Sequence, residues 1–507
     1  MKDFSKDELQ MGIIGAGVMG RGIAQVAAAA GVQVMLFDLD GEAVEDAIGF
    51  VSGMFKRAAE KGRMTAAEAD AALARIKASP DLAGLAAADI VIEAVVEKLE
   101  VKQSLFGQLE ELVSDECILA TNTSSLSVTA VAASARNPGR VAGFHFFNPV
   151  PLMKLVEVIS ALRTDEQVGR QLHALTLRLG HTPVMVNDSP GFLVNHAGRG
   201  LITEGLRLLH ENVTDVQTVD EVVRDCMGFR MGPFELMDLT GLDVTFPASQ
   251  QVYTQYFNEP RVRPTPLQQR RYTAGLLGRK TGEGFYRYLD GQKQEHARDT
   301  AAGMKVTRQF WVDPEYPDLA DAARAMLEKA GVSIDRGDQP ASDSIIIVTP
   351  LGKDTSSTIV EKGLDGERVV AVDALFPGEA RLTMMASPAT GEEVLREAQA
   401  AFSFEGRAVA LIRDSGGFIS QRIVASIVNI ASDIAQQGIA APADIDTGAR
   451  LALGYPEGPL ALGDRIGPKR VLSILENLLE VYGDPRYRPS PWLKRRAQLG
   501  LSLLAGE

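Results

Sequence analysis

The stretch 145–157, HFFNPVPLMKLVE, holds two residues whose types suit proton transfer. His145 follows an apolar run, Val141 to Phe144, that reads as a strand, and Glu157 lies in the next such run, Leu155 to Ile159. A neutral imidazole titrates near working pH and can take the proton of an alcohol. A carboxylate on its other ring nitrogen would fix the tautomer and stabilise the imidazolium as it forms, and Glu157 is the candidate. His173, His181, His196, His210 and His296 have no comparable setting. A second polar segment, Asn122-Thr123-Ser124-Ser125-Leu126, follows the run Ile118 to Thr121. Ligands of open parallel sheets bind beyond the carboxyl ends of strands, and both segments lie at such ends.

The elements that must position these residues begin with a strand over Gln10 to Ile14. It runs into Gly15-Ala16-Gly17-Val18-Met19-Gly20 and a small-residue helix through Ala30. Gly15 permits the tight turn, Gly17 leaves room for a pyrophosphate, and Gly20 lets the helix pack on the strand. The helix start offers unpaired amides and the positive end of a dipole. A second strand, Val32 to Phe37, ends at Asp38, where a carboxylate receives ribose hydroxyls and repels a 2′-phosphate. The cofactor is therefore expected to be NAD, which places His145 beside a nicotinamide and makes the chemistry hydride removal from an alcohol. Further strands over Ile90 to Val95, Ile118 to Thr121 and Val141 to Phe144, with helical patterns between them, predict a parallel α/β sheet.

Composition bounds the rest. The 507 residues suggest three or four folded units, and a net charge of -14 excludes a nucleic-acid or anionic-membrane partner. A phosphate-bearing substrate must then meet a local basic patch; Lys56, Arg57 and Lys61, with Arg63 just beyond, provide one on a helix beginning near Phe50. The first ten residues are polar, and no apolar run reaches the roughly 18 residues of a membrane span, so a soluble, cytoplasmic protein is expected. Cys117 and Cys226 are too few for a disulfide framework or a cysteine metal site, and read as buried thiols; no metal is expected.

The glycine turn, NTSSL, HFFNPVPLMKLVEV, DSPGFLVN, MGPFELMDLTGLD and KTGEGFY occur in order over residues 10 to 290. Together they closely resemble the L-3-hydroxyacyl-CoA dehydrogenase family, in its long, two-half form. The resemblance implies NAD-dependent, reversible oxidation of an (S)-3-hydroxyacyl-CoA to the 3-oxoacyl-CoA by a His145–Glu157 pair. It also implies that Ser124 and Asn195 hydrogen-bond the substrate oxygen, where preplaced donors answer its changing charge. Glu97 and Lys102 would lie near the nicotinamide end of the cofactor, with Lys280 a further cofactor-side residue. Lys56 and Lys61 match a helical hairpin that contacts coenzyme A. Within the family the acyl group could be 3-hydroxybutyryl or 3-hydroxyadipyl, in fatty-acid or phenylacetate catabolism. An adipyl carboxylate would want a cation, for which Arg199, Arg207 and Arg230 are candidates. A crystallin-like, non-catalytic NAD-binding protein is the alternative from another class, and the intact set Ser124, His145, Glu157 and Asn195 argues against it. A different hydroxyacid dehydrogenase would usually use a lysine base; Lys154 lies nearby but matches a family position outside the catalytic set.

An unbroken shift of 226 residues carries Asp188, Ser189, Gly191, Phe192, Asp220, Gly232, Pro233, Asp238 and Gly241 onto Asp414, Ser415, Gly417, Phe418, Asp446, Gly458, Pro459, Asp464 and Gly467. This is an internal duplication. The expected architecture is an α/β Rossmann domain (1–187), an all-α domain (188–290), a degenerate, reduced Rossmann-like domain (305–411) and a second all-α domain (412–507). The stretch from Asp290 to Thr300 reads as a linker. In the copy, Gln421 replaces Asn195, Asp373 takes the place of His145, Met385 falls where Glu157 would be, and Thr355 to Thr358 echoes NTSSL. With no G-x-G-x-x-G there, no second cofactor site is expected. Short members of the family resemble dimers, so the two all-α domains are expected to form a pseudo-dimer within one chain, and a larger oligomer stays open.

Overall fold

The structure, a computed structural model, describes residues 2–296 and 305–506. Residues 297–300 of the expected linker lie outside them. The chain divides into two compact units. The first comprises the residues through His196 together with Gln437–Leu453, and the second comprises Ala197–Gln436 with Gly454–Ala505.

The first unit is built on an eight-stranded sheet: β1 (Gln10–Ile14), β2 (Gln33–Phe37), β3 (Ile76–Ala78), β4 (Ile90–Glu93), β5 (Ile118–Thr121), β6 (Val141–Phe146), β7 (Leu155–Ser160) and β8 (Thr182–Asn187). Their order is β3-β2-β1-β4-β5-β6-β7-β8. All neighbours are parallel except β6 and β7. Strands β4, β5 and β6 are buried along their whole length, which explains why they read as continuous aliphatic runs. The helix Val18–Ala29 packs on β1 and β2 through Ile23, Ala24, Ala27 and Ala28. The helical hairpin follows, with Gly41–Glu60 capped by Asp40 and Ala66–Ala74 capped by a reciprocal Thr65–Glu68 box. Segment 437–453 joins this unit from far along the chain. The Ile439 carbonyl accepts from the Asn187 N–H at 2.8 Å, Ala440 bridges Val186, and the helix Pro442–Ala452 lies on β7 and β8.

In the second unit, two buried carboxylates gather the first set of helices. Asp220, on the helix Val216–Met227, accepts from the Phe234 and Glu235 N–H groups and the Tyr286 hydroxyl. Asp238, on Pro233–Thr240, accepts from the Phe285 and Tyr286 N–H groups. A Cβ at Gly284 would lie 2.2 Å from an Asp238 oxygen. The MGPFELMDL and KTGEGFY motifs are therefore two halves of one clasp. The stretch expected to be a linker from Asp290 begins instead inside a hairpin, β9 (Tyr288–Leu289) with β10 (Gln292–Lys293). His296 continues that order through backbone and side-chain bonds with Gln217.

A six-stranded sheet follows: β11 (Phe310–Val312), β12 (Ile334–Asp335), β13 (Ile345–Val348), β14 (Val369–Val372), β15 (Arg381–Ala386) and β16 (Ala408–Arg413), in the order β12-β11-β13-β14-β15-β16. It keeps one antiparallel pair, β14 with β15, at the same place as β6 with β7. Two expected equivalences change. Thr355 to Thr358 opens the helix Thr355–Lys362, and Asp414 accepts from the Thr355 N–H, much as Asp188 accepts from the Thr129 N–H. The counterpart of NTSSL is thus Thr349 to Leu351, just after β13. Across from Asp373 stands Thr383, whose carbonyl accepts the Asp373 N–H, while Met385 pairs with Ala371. Thr383, not Met385, occupies the glutamate's position.

The helix Ile419–Gln436 packs along Arg199–His210. Between them lies the fully buried Arg422, bonded to Glu204 (2.7 Å), Glu211 (2.8 Å), and the Tyr482 and Tyr487 hydroxyls. Cys117 is buried as expected, and burial pushes its thiol up to about 12. Cys226 is only half-buried, and its Sγ donates to the Arg381 carbonyl at 3.4 Å. No group of histidine, cysteine and acidic side chains among the described residues could hold a metal ion, and no described helix is long and apolar enough to cross a membrane.

Candidate active site

The antiparallel pairing of β6 with β7 sets His145 directly across from Glu157. His145 Nδ1 lies 2.6 Å from Glu157 Oε2, and both side chains are buried, 5% and 0% exposed. Directly opposed residues on one face of an antiparallel pair are the closest side-chain neighbours a sheet offers, so strand register alone forms the contact. The other carboxylate oxygen, Oε1, accepts from the Leu193 N–H at 3.0 Å and the Val194 N–H at 2.8 Å. Glu157 is therefore oriented by two backbone donors and by the imidazole, while its partner ring stands against Phe147 and Phe192, with ring centroids 4.5 and 6.0 Å away. No described protein group hydrogen-bonds His145 Nε2, which leaves that nitrogen for a ligand.

The DSPGFLVN segment supplies this bracing. Asp188 accepts from the Ser127 hydroxyl and the Thr129 N–H, both at 2.7 Å, fixing one end. Gly191 (φ +74°) and Phe192 (φ +49°) are successive left-handed residues that turn the chain so that the next two N–H groups face Glu157. Asn195 follows, its Nδ2 donating to the Ser124 carbonyl at 3.3 Å, so two candidates for substrate oxygen contact are brought together.

Ser124 is bound to the neighbouring acidic cluster. Glu97 accepts from the Thr123 hydroxyl (2.6 Å), the Ser124 N–H (3.0 Å) and the Ser125 hydroxyl (2.8 Å), and pairs with Lys102 at 3.2 Å. Burial alone would raise the Glu97 pKa, but these donors and the ammonium outweigh it and hold it below the usual value. Lys102 is buried, its second partner being Glu93 at 2.6 Å, which also accepts from Thr121. The network joins the ends of β4 and β5 and fixes the loop carrying Ser124.

The glycine turn fits a dinucleotide. A side chain at Gly20 would sit 1.7 Å from the Gly15 carbonyl oxygen, and one at Gly15, itself at φ +103°, would sit 2.5 Å from the Ala94 oxygen. A Cβ at Gly17 would meet nothing within 4 Å. Gly15 and Gly20 are required by packing, and Gly17 leaves open space at a helix start with no side-chain cap. Asp38 accepts from the Ala16 N–H at 2.7 Å and the Asp40 N–H at 3.1 Å, which places its carboxylate at the edge of that turn.

Lys56 and Lys61 are exposed on the helical hairpin, at and just after the end of Gly41–Glu60. Lys280 belongs to the second unit, where its Nζ pairs with Asp243 at 2.5 Å. Of the three arginines considered for an acyl carboxylate, Arg199 bonds Ser249 and Arg207 pairs with Glu211 and Asp484, whereas Arg230 is exposed. His181 is a buried histidine whose two ring nitrogens lie 3.0 and 2.9 Å from the Leu179 and Val150 carbonyls. Sequence reading missed Asn122, whose Oδ1 accepts from the Phe146 N–H, and the Leu193 and Val194 donors. Backbone donors leave no mark on residue type, although the adjacent glycine of DSPGF does signal a special turn.

Residues 10–189 match the family model described as 3-hydroxyacyl-CoA dehydrogenase, NAD binding domain, and residues 191–288 and 417–503 match the C-terminal domain of the same family. The chain belongs to the 3-hydroxyacyl-CoA dehydrogenase family. It is 38% identical over 487 residues to a 3-hydroxyadipyl-CoA dehydrogenase of Escherichia coli, covering 96% of this chain and 97% of that one. A 3-hydroxybutyryl-CoA dehydrogenase of Bradyrhizobium diazoefficiens is 39% identical over 279 residues, 55% of this chain and 95% of the relative. Among solved structures, a 3-hydroxybutyryl-CoA dehydrogenase of Escherichia coli superposes with a TM-score of 0.85 at 36% identity, covering 97% of this chain and 99% of the other. As a member of this dehydrogenase family the chain is an NAD-dependent oxidoreductase of 3-hydroxyacyl-CoA thioesters. The non-catalytic reading falls away.

Proposed function

We propose that His145 is the general base for the substrate hydroxyl and Glu157 its orienter. Nδ1 bound to the glutamate leaves Nε2 as the basic nitrogen, and the imidazolium formed on proton uptake is stabilised by the adjacent carboxylate. Bound NAD supplies the hydride acceptor. Gly15, Gly17 and Gly20 shape its pyrophosphate site, Asp38 meets the adenosine ribose, and Glu97 and Lys102 border the nicotinamide end while fixing the Ser124 loop. Ser124 and Asn195 position the oxygen that changes from hydroxyl to carbonyl. Lys56 and Lys61 serve as point charges for the coenzyme A phosphates. The observation that carries this reading is the buried 2.6 Å contact between His145 Nδ1 and Glu157 Oε2. The test is reduction of acetoacetyl-CoA by NADH with Glu157→Gln: kcat should fall about a hundredfold, the span usual for a base that has lost its orienter, and an unchanged kcat would remove the glutamate from the mechanism.

For the acyl group we favour 3-hydroxyadipyl-CoA over 3-hydroxybutyryl-CoA, on the similarity across the full chain to the relative so named. The second reading is kept by the full-length solved structure that carries the butyryl name. Comparing kcat/KM for 3-oxoadipyl-CoA and acetoacetyl-CoA decides between them. A cytoplasmic location accords with two unpaired thiols.

We further propose that the chain is two unequal copies, 1–290 and 305–507, whose all-α parts form an intrachain pseudo-dimer. In support, the Asn187 N–H donates to the Ile439 carbonyl and the Arg413 N–H donates to the Val213 carbonyl, two bonds related by the 226-residue shift. Each sheet edge thus takes a segment from the other copy. The packing of Ile419–Gln436 on Arg199–His210 adds to this.

A further inference from the structure

We infer that Gly448, in the second copy's helix Pro442–Ala452, is a positioning residue for the His145–Glu157 pair; this rests on the catalytic reading above. The path is short. A Cβ at Gly448 would lie 2.9 Å from Leu193 Cδ2, 3.4 Å from Leu193 Cγ and 3.7 Å from Val194 Cγ2. Leu193 and Val194 are buried, and their N–H groups are the two donors on Glu157 Oε1. The absence of a side chain at 448 is what lets the helix close on the two residues that hold the glutamate.

The helix cannot simply retreat from a larger residue. It is fixed to β8 at several points: Asn187 Nδ2 donates to the Gly438 carbonyl at 2.8 Å, the Asn187 N–H donates to the Ile439 carbonyl at 2.8 Å, and the Met185 N–H donates to Asp444 at 3.1 Å. Ile445 and Ala449 are buried on the same side. Added volume at 448 must therefore be taken up by the Leu193–Val194 segment, and packed interiors convert such volume into displaced neighbours. A shift of a few tenths of an ångström lengthens both N–H bonds to Glu157 and turns the carboxylate away from Nδ1.

The reciprocal helix supports a role beyond packing. Val222, in Val216–Met227, stands at the position related to Gly448 by the 226-residue shift, and that helix lies on β15. There the residue at the glutamate's place is Thr383, which holds no imidazole. Glycine occurs on the sheet that carries the catalytic pair, and valine on the sheet that does not.

The test is Gly448→Val, with Gly448→Ala as the milder variant should valine prevent folding, and the double variant Gly448→Val/Leu193→Ala to return the space. His145→Gln is assayed beside them. With acetoacetyl-CoA and NADH, Gly448→Val should lower kcat by about tenfold, a fraction of the hundredfold or more expected for losing the base, while both KM values stay within about twofold. The double variant should recover several-fold of that kcat although it removes further packing, which a merely structural role would not allow. Wild-type kcat in Gly448→Val, or in Gly448→Ala if that alone folds, together with an inactive His145→Gln overturns the inference and leaves the catalytic reading standing. A loss of kcat not recovered in the double variant also overturns it. An active His145→Gln overturns both.

Discussion

The ends of β6 and β14 lie beside the one antiparallel pair of their respective sheets and have opposite characters. Near the end of β6, a histidine is paired across the strands with a buried glutamate. After β14 lies Asp373, across from Thr383, with its carboxyl bonded to Gln421 Nε2 at 3.1 Å. Gln421 also donates to the Pro350 carbonyl and accepts from the Gly352 N–H, so the residue at Asn195's position is consumed by holding a loop. The cofactor elements diverge in the same direction. Asp38 stands at the edge of a glycine turn, whereas Asp335, at the end of β12, is enclosed by its own loop through the Gly337 and Ala341 N–H groups and the Ser344 hydroxyl. The connection from β11 to the next helix, Pro317–Lys329, carries Asp313 and Glu315, each 2.9 Å from Lys362, and no glycine turn. The comparison teaches that an antiparallel pair can stand on buried aliphatic packing in both sheets, while only the first sheet carries a buried imidazole–carboxylate pair across it.

The sharpest way to break this contrast is to change the two strand-end residues in parallel. His145→Gln should lower kcat for acetoacetyl-CoA reduction by a hundredfold or more, the usual cost of a lost general base, and Asp373→Asn should leave it within about twofold. Comparable losses in both would mean that the second sheet takes part in the chemistry. Arg422→Met probes cohesion instead. Removing the guanidinium leaves Glu204 buried without its counter-ion, so urea unfolding should show about 3–5 kcal/mol of lost stability. A loss below about 1 kcal/mol would show that the cluster is better solvated than its burial indicates.

Not all of this contrast was legible in the residue order. The glycine turn, Asp38 and the strand carrying His145 stand out because spacing and residue type coincide, and the 226-residue shift relates Asp188 to Gly241 with Asp414 to Gly467. The antiparallel register that joins His145 to Glu157 was not readable, since strand direction depends on the intervening loop rather than on the strands. The same register moved the glutamate's counterpart from Met385 to Thr383. The two-strand hairpin within 288–293 was hidden by polar side chains, because its order comes from backbone pairing and from Gln217. The helix 442–452 on β8 was invisible for a plainer reason: nothing in a sequence says which sheet a distant helix covers.

Two smaller effects sharpen the comparison. Asp38→Ala should reduce the preference for NADH over NADPH by about tenfold, on the order of one charged hydrogen-bonding partner lost and one repulsion relieved, read as the ratio of kcat/KM values. An unchanged ratio would place the ribose elsewhere. Asp373→Asn gives the mildest signal. Burial raises the Asp373 carboxyl from 3.8 to about 7, so the folded state holds that proton more tightly than the unfolded state does. The stabilising contribution is full below about pH 4 and is lost as pH rises through 7. The gain in Tm from Asp373→Asn should therefore be larger at pH 8 than at pH 5. An equal or opposite change would contradict the raised value.

The pairing of one ring nitrogen with one carboxylate can be read directly by nitrogen-15 NMR of the His145 side chain, with Glu157→Gln as the comparison. The account predicts that neutral His145 carries its proton on Nδ1, with Nε2 unprotonated, and that this tautomer preference weakens when Glu157 becomes glutamine. A neutral ring protonated on Nε2, indifferent to that substitution, would contradict it.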